Sequence, residues 1–152
     1  MKHRKQHRKH WIHYKMRDQI RFKIGKEEKN IQEKWIEIPE GTEHIQMMIE
    51  MPEEFQYMAF LFLEDPKKEI RFQKLLGYGQ QNPGIGKSTK DTTIGGVPGE
   101  IYPGTWKIGI GIFTEYVAQK LGEQTGEIVL TVSDRKDEVS DPIGGECWVE
   151  NG

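Results

Sequence analysis

Isoleucine alternating with small or polar residues, interrupted by proline–glycine pairs, restricts the fold of this chain more than any other feature. The clearest example is residues 106–112 (WKIGIGI), where every second residue is large and apolar. Successive side chains of a strand point to opposite faces, so a period of two predicts a strand with one buried face. Similar alternations or short apolar runs recur at residues 20–24, 35–38, 45–51, 57–63, 70–72 and 128–132.

The apolar composition favours sheet over helix. Ile occurs 17 times, whereas Leu occurs six times and Ala twice. Ile is β-branched, which suits a pleated surface and lowers helix propensity. The run at 57–63 is almost continuously apolar, which is typical of a strand covered on both faces. We therefore predict an all-β fold, an antiparallel β-sandwich of seven to nine strands, with a jelly-roll arrangement as one option.

Charge divides the 152 residues into three parts. Residues 1–26 contain ten Lys or Arg and one acid, whereas residues 27–152 contain 12 Lys or Arg and 23 acids. Most apolar residues lie between these charged ends. We predict a basic, flexible arm at 1–18, one sandwich domain at 19–134 and a polar tail or linker at 135–152.

Several protein classes are not expected. The chain has no run of 18 apolar residues and no apolar segment after its basic start, so we predict neither a membrane span nor a secretory signal. Its one cysteine, Cys147, cannot form an intramolecular disulfide. A cytoplasmic protein without a cofactor is the simplest expectation.

Two segments do not follow the strand pattern. Residues 77–99 contain seven glycines and few apolar side chains, which predicts one long loop of the kind that often has a function. Residues 113–121 (FTEYVAQKL) are compatible with a further strand or with a short helix that has Thr114 as its N-cap and ends at Gly122.

The segment 86–89 (GKST) resembles the end of a phosphate-binding loop, but the chemistry does not fit. That loop needs a glycine five positions earlier, where this chain has Gln81. It also needs a preceding buried strand and a following helix. We therefore predict no nucleotide site here.

The basic arm contains histidines at spacings of four, three and three: His3, His7, His10 and His13. On a helix they would share a face and could bind Zn²⁺ or Ni²⁺, but the surrounding Lys and Arg repel a cation. Trp11 and Tyr14 could join the arm in contacting nucleic acid, although the acidic body opposes that approach. Neither a metal site nor nucleic-acid binding is expected.

No catalytic group of residues is evident. His44 is the only histidine outside the arm, and nothing pairs it with Cys147. A cluster of acids could chelate Ca²⁺ but lacks the spacing of an EF-hand loop. It comprises Asp134, Asp137, Glu138 and Asp141. We expect a chain that is not an enzyme.

Three aromatic residues are candidate binding residues. Tyr78 and Tyr102 lie in or beside glycine-rich turns, and Trp106 begins a strand. Aromatic faces on a sandwich can stack on a sugar ring. The competing interpretation of Trp106 is that it closes one end of the core.

The double proline–glycine motif resembles a known family. Its pattern, PG-x-I-x-PG-x-W, is similar to the β-sandwich domain that precedes the catalytic barrel of PHP-type metal-dependent phosphoesterases of the carbaryl-hydrolase-like branch. The matching residues are Pro98, Gly99, Ile101, Pro103, Gly104 and Trp106. Weaker similarity extends over residues 20–133.

The resemblance implies a sandwich without the chemistry of the family. In the family the first metal ligands are a His-x-His pair in the barrel, and this chain contains no His-x-His. We expect a non-catalytic accessory domain that contacts a phosphoesterase domain, in cis or in trans, through a sheet face or the 77–99 segment. The alternative is a carbohydrate or small-ligand binding module. A homodimer through an exposed strand edge is also open.

Overall fold

The computed structural model describes residues 14–136, in which two antiparallel sheets pack face to face. This arrangement confirms the predicted β-sandwich. The strands are β1 (Arg17–Ile24), β2 (Ile31–Ile38), β3 (His44–Met51), β4 (Ala59–Glu64), β5 (Ile70–Leu75), β6 (Gly79–Gln81), β7 (Gly84–Gly86), β8 (Gly104–Ile112) and β9 (Gly126–Ser133). The helices are α1 (Thr114–Leu121) and the 3₁₀ turns Glu53–Phe55 and Thr89–Asp91.

Sheet A has the strand order β1-β9-β3-β6, with β7 also paired to β3, and sheet B has the order β2-β8-β4-β5. All these pairs are antiparallel. The chain changes sheet at every connection except β4–β5 and β6–β7. With β6 and β7 counted as one interrupted strand beside β3, each sheet has four strands, as in the jelly-roll arrangement that the sequence left as an option.

The core lies between the sheets and is filled by alternate residues of the long strands. On β1 these are Ile20, Phe22 and Ile24, as the period of two predicts. Trp106 is the largest completely buried side chain, and its indole Nε1 donates a hydrogen bond to the Tyr102 carbonyl at 2.7 Å. The interpretation of Trp106 as a core residue is therefore correct.

The prediction of one long loop at residues 77–99 is wrong. Two short strands, β6 and β7, lie within it and both pair with β3. Further along, residues 95–97 follow the outer edge of β5, where the Gln73 N–H donates to the Gly95 carbonyl at 3.0 Å. The segment therefore closes one side of the sandwich. Strands of three residues with glycine are too short to produce a recognisable alternation.

Helix α1 settles the choice left open for residues 113–121. Gly122 follows it with φ +62°, a conformation that glycine adopts without strain, so the predicted end is correct. The predicted N-cap is wrong, because Phe113 occupies that position and makes no side-chain cap. Instead, Thr114 Oγ1 donates a hydrogen bond to Asn30 Oδ1 at 2.7 Å, which ties the helix to the residue before β2.

The two ends of the described chain meet beside sheet A. Arg17 pairs with Ser133 across β1 and β9, and Asp134 Oδ1 accepts the Lys15 N–H at 2.9 Å. The sheet thus begins inside the predicted arm, 1–18. Residues 1–13 of that arm and residues 137–152 of the predicted tail, 135–152, lie outside the described residues. Within residues 14–136, no helix has the length and apolar character that a bilayer crossing requires.

Candidate functional site on the outer face of sheet B

The outer face of sheet B contains several aromatic side chains that lie outside the core. Because side chains alternate, residues adjacent to buried ones on each strand point away from the core. On β2 and β8 they are Ile31, Glu33, Trp35, Glu37, Thr105, Lys107, Gly109 and Gly111. On β4 and β5 they are Phe60, Phe62, Glu64, Ile70, Gln73 and Leu75.

Two glycines of the central strand β8 shape one end of this face. Phe62 lies opposite Gly109, and Phe60 lies opposite Gly111. A Cβ added at either glycine would overlap the phenylalanine ring opposite it. The rings therefore lie across β8 in space that any side chain there would occupy, and this produces a broad apolar surface.

Further apolar side chains extend this surface to α1. The Phe113 ring stacks on Phe60 with centroids 6.1 Å apart, and Phe60 lies 6.1 Å from Phe62. Exposed fractions are 49% for Ile31, 47% for Leu75, 42% for Phe113 and 41% for Tyr116. We call these residues the phenylalanine patch: Ile31, Phe60, Phe62, Leu75, Phe113 and Tyr116. A cleft of about 610 Å³ lies between its Ile31 side and α1.

The other end of the face is polar around one exposed tryptophan. Trp35 is 60% exposed and lies opposite Lys107 on β8. Lys107 Nζ contacts Glu64 at 3.1 Å and Glu33 at 3.3 Å. Hydrogen bonds to Glu64 and then to Glu33 raise the pKa of Lys107 above its usual value. Its charge is thus held in place beside the indole.

The three residues predicted to bind a sugar do not form one site. Trp106 is completely buried, so its ring cannot stack on a ligand and that prediction is wrong. Tyr102 precedes β8, with Lys67 Nζ 4.3 Å from its ring centre. Tyr78 is exposed but precedes β6 in sheet A.

Sequence reasoning missed Trp35, although the signal was present. Trp106 has the same parity as Ile108 and Ile110, which places it with the buried residues of β8. Trp35 is out of phase with Ile36 and Ile38, which places it on the outer face of β2. The period of two therefore assigns the two tryptophans to opposite faces, inner and outer.

The other sequence motifs form no catalytic centre in the described part of the chain. β7 ends at Gly86 and a single 3₁₀ turn follows at Thr89–Asp91, which is not the strand-to-helix geometry of a phosphate loop. His44 Nε2 lies 2.9 Å from Gln46 Oε1, and burial lowers the pKa of His44. Among residues 14–136, no group of three His, Cys, Asp or Glu side chains is arranged to hold a metal ion.

Several candidate residues lie outside the described range. They are the arm residues His3, His7, His10, Trp11 and His13, the acids Asp137, Glu138 and Asp141, and Cys147. Asp134, the described member of the acidic cluster, accepts the backbone N–H groups of Lys15 and Met16.

The fold and its surfaces define an all-β sandwich whose sheet B has an aromatic outer face. No known protein family and no curated protein matches the chain. Among solved structures, it is similar to the Clostridium perfringens CspB protease, with a TM-score of 0.43 and 15% identity over 76% of this chain and 25% of that chain. The chain therefore corresponds to about a quarter of the protease's length. Likeness at this level assigns no activity.

Proposed function

We propose that this chain is a non-catalytic interaction module that docks on a partner protein domain through the phenylalanine patch. One observation supports the proposal above all. The sequence of β4 has the apolar character of a strand covered on both faces, yet its outer residues Phe60 and Phe62 have only a partial cover. An apolar surface of this kind marks an interaction site when it is contiguous.

The surroundings of the patch favour a protein partner. Its rings are fixed by stacking and by strand pairing, so little side-chain entropy is lost when they are covered. Aromatic residues in a preformed cleft are the side chains that dominate protein interfaces. The polar residues Glu115 and Gln119 of α1 line the same cleft and provide a rim.

The partner that we propose is a PHP-type phosphoesterase domain, in the same polypeptide or in a separate chain. This choice is supported by the sequence resemblance at residues 98–106. In this arrangement the partner supplies the metal centre and the sandwich supplies a docking surface.

Association with an isolated phosphoesterase barrel tests the proposal. We expect calorimetry to give a saturable 1:1 complex between this chain and a barrel of the carbaryl-hydrolase-like branch. Replacing Ile31 and Tyr116 together by lysine should weaken the complex at least about tenfold, because two charges would be buried without partners. The lysine variant Thr131→Lys, on the outer face of sheet A, is the matched control and should bind normally.

A barrel that fails to bind, or a complex that tolerates both patch lysines, would reject the proposal. Turnover of a phosphoester by this chain alone with Mn²⁺ or Zn²⁺ would also reject it. The predicted homodimer through a strand edge stays a prediction. At β2, Lys34 shares the parity of the buried Ile36 and Ile38, and an inward-facing charge opposes edge pairing.

A further inference from the structure

We propose that the cleft beside Trp35 binds one pyranose ring of a neutral oligosaccharide. The cleft has a volume of about 450 Å³ and lies at the end of sheet B opposite the phenylalanine patch. This site goes beyond the docking function and is independent of it, because it uses none of the patch residues.

The cleft has two walls and a floor built from rigid elements. Trp35 on β2 forms one wall, and the β4–β5 turn with Pro66 and Lys68 forms the other. Thr105 and Lys107 on β8 form the floor, because β8 lies between β2 and β4. Two strand spacings of ~4.8 Å separate the strands that bear the walls, about the width that a sugar ring stacked on an indole needs.

The wall opposite Trp35 is fixed by a buried ion pair. Asp65 Oδ1 accepts the N–H groups of Lys67 at 2.8 Å and Glu69 at 3.0 Å. Asp65 Oδ2 accepts a hydrogen bond from Arg71 at 3.3 Å, and both side chains are almost completely buried. The turn is therefore held in one conformation, as a preformed ligand site requires.

The polar groups in the cleft suit hydroxyl groups. An ammonium has three donors, and Lys107 uses two of them on Glu33 and Glu64. Thr105 Oγ1 donates to Glu37 at 2.9 Å and keeps its lone pairs. A sugar hydroxyl both donates and accepts, so it can join such a mixed set without displacing a member.

The same mixture disfavours charged ligands. Glu33, Glu37 and Glu64 lie in or beside the cleft together with Lys68 and Lys107, so a phosphate or a guanidinium group would meet repulsion as well as attraction. A neutral ligand with an apolar face for the indole and polar edges for the floor meets neither repulsion. A pyranose has that chemistry.

Titration by NMR tests the assignment. We expect cellotetraose, chitotetraose or mannotetraose, added to about 10 mM, to shift the Trp35 indole N–H signal saturably. That concentration detects even a dissociation constant of about 1 mM. Trp35→Phe identifies that signal. Trp35→Ala should weaken binding at least about tenfold, and Lys107→Met should weaken it by a smaller factor.

The matched control is Tyr78→Ala, which removes an exposed aromatic ring outside the cleft. It should bind the oligosaccharide normally. The proposal is overturned if none of the three oligosaccharides shifts the signal, if Trp35→Ala binds as the unmodified chain does, or if an arginine-rich peptide gives the shift that the sugars do not. Trp35 is on the surface, so thermal melts should show that its variants remain folded.

Discussion

The outer faces of the two sheets differ in a way that strand alternation alone does not require. Sheet A is polar outside, with Arg21 on β1 paired to Glu127 on β9 at 3.0 Å. Sheet B presents rings and aliphatic side chains at one end and a tryptophan at the other. A sandwich needs only its inner faces to be apolar. The apolar outer face of sheet B therefore indicates a role other than folding.

The central strands β9 and β8 show how the difference arises. β9 has Val129 and Thr131 at its outer positions, whose side chains stand up from the sheet. β8 has Gly109 and Gly111 at two of its outer positions, and the rings of β4 lie over them. Glycine weakens a strand interior, so its presence at both positions has a local reason. That reason is the space that the rings occupy.

Among the substitutions that test this contrast, Gly109→Ala is expected to change the free energy of unfolding most. Replacing glycine by alanine within a strand normally stabilises a protein, but here the new Cβ would overlap the Phe62 ring and force it outward. We expect a loss of about 1–3 kcal/mol in the free energy of unfolding, the usual range for overpacking. Urea denaturation measures it.

The control is Gly77→Ala, where the added Cβ would lie 3.7 Å from the Tyr57 ring, an ordinary contact. It should be neutral or stabilise by up to about 1 kcal/mol. If Gly109→Ala also stabilises, the rings do not depend on the glycines, and the proposed origin of the patch is wrong.

The sequence predicted the inner faces well and the outer faces poorly. Inward residues repeat with period two over whole strands, as in Ile20, Phe22 and Ile24, so the core was visible before the structure. The outer pairs are set by register, which places Phe60 opposite Gly111 although they are 51 positions apart. No local pattern specifies that pairing, and the patch could not be located from the sequence.

The prediction of the binding site relied on residue type and neglected the place of each residue in the alternation of its strand. Trp106 is a candidate because it is a tryptophan that begins a strand, whereas its parity with Ile108 places it inside. The resemblance to phosphoesterase sandwiches stays a prediction. In the motif that supports it, residues 98–106, the tryptophan is a buried core residue.

His44 gives the polar face of sheet A a pH dependence. It lies on the outer side of β3, and desolvation by burial lowers its pKa below 6.5 more than its hydrogen bond to Gln46 raises it. Because the folded pKa is depressed, the stabilisation is present above pH 6.5 and is lost as the pH falls through the folded value. Urea midpoints should therefore decrease between pH 7 and pH 5.

His44→Gln should flatten that decrease, because glutamine does not titrate. A midpoint that falls equally steeply in the variant would show that His44 is not the group responsible for the loss.

Leu75→Lys is expected to change the free energy of unfolding least, while it lowers the hydrophobicity of the surface of sheet B. Leu75 is about half exposed on edge strand β5, so the free energy of unfolding should stay within about 0.5 kcal/mol of the original value. Retention on a hydrophobic-interaction column should decrease, because the substitution interrupts a contiguous apolar area. The mirror variant Thr131→Leu adds one apolar residue to the mainly polar outer face of sheet A, where its apolar neighbours are the smaller set Met48 and Val129, and should change retention less. Equal changes for the two variants would mean that sheet B has no special surface, and the contrast between the two faces would then be one of composition and not of function.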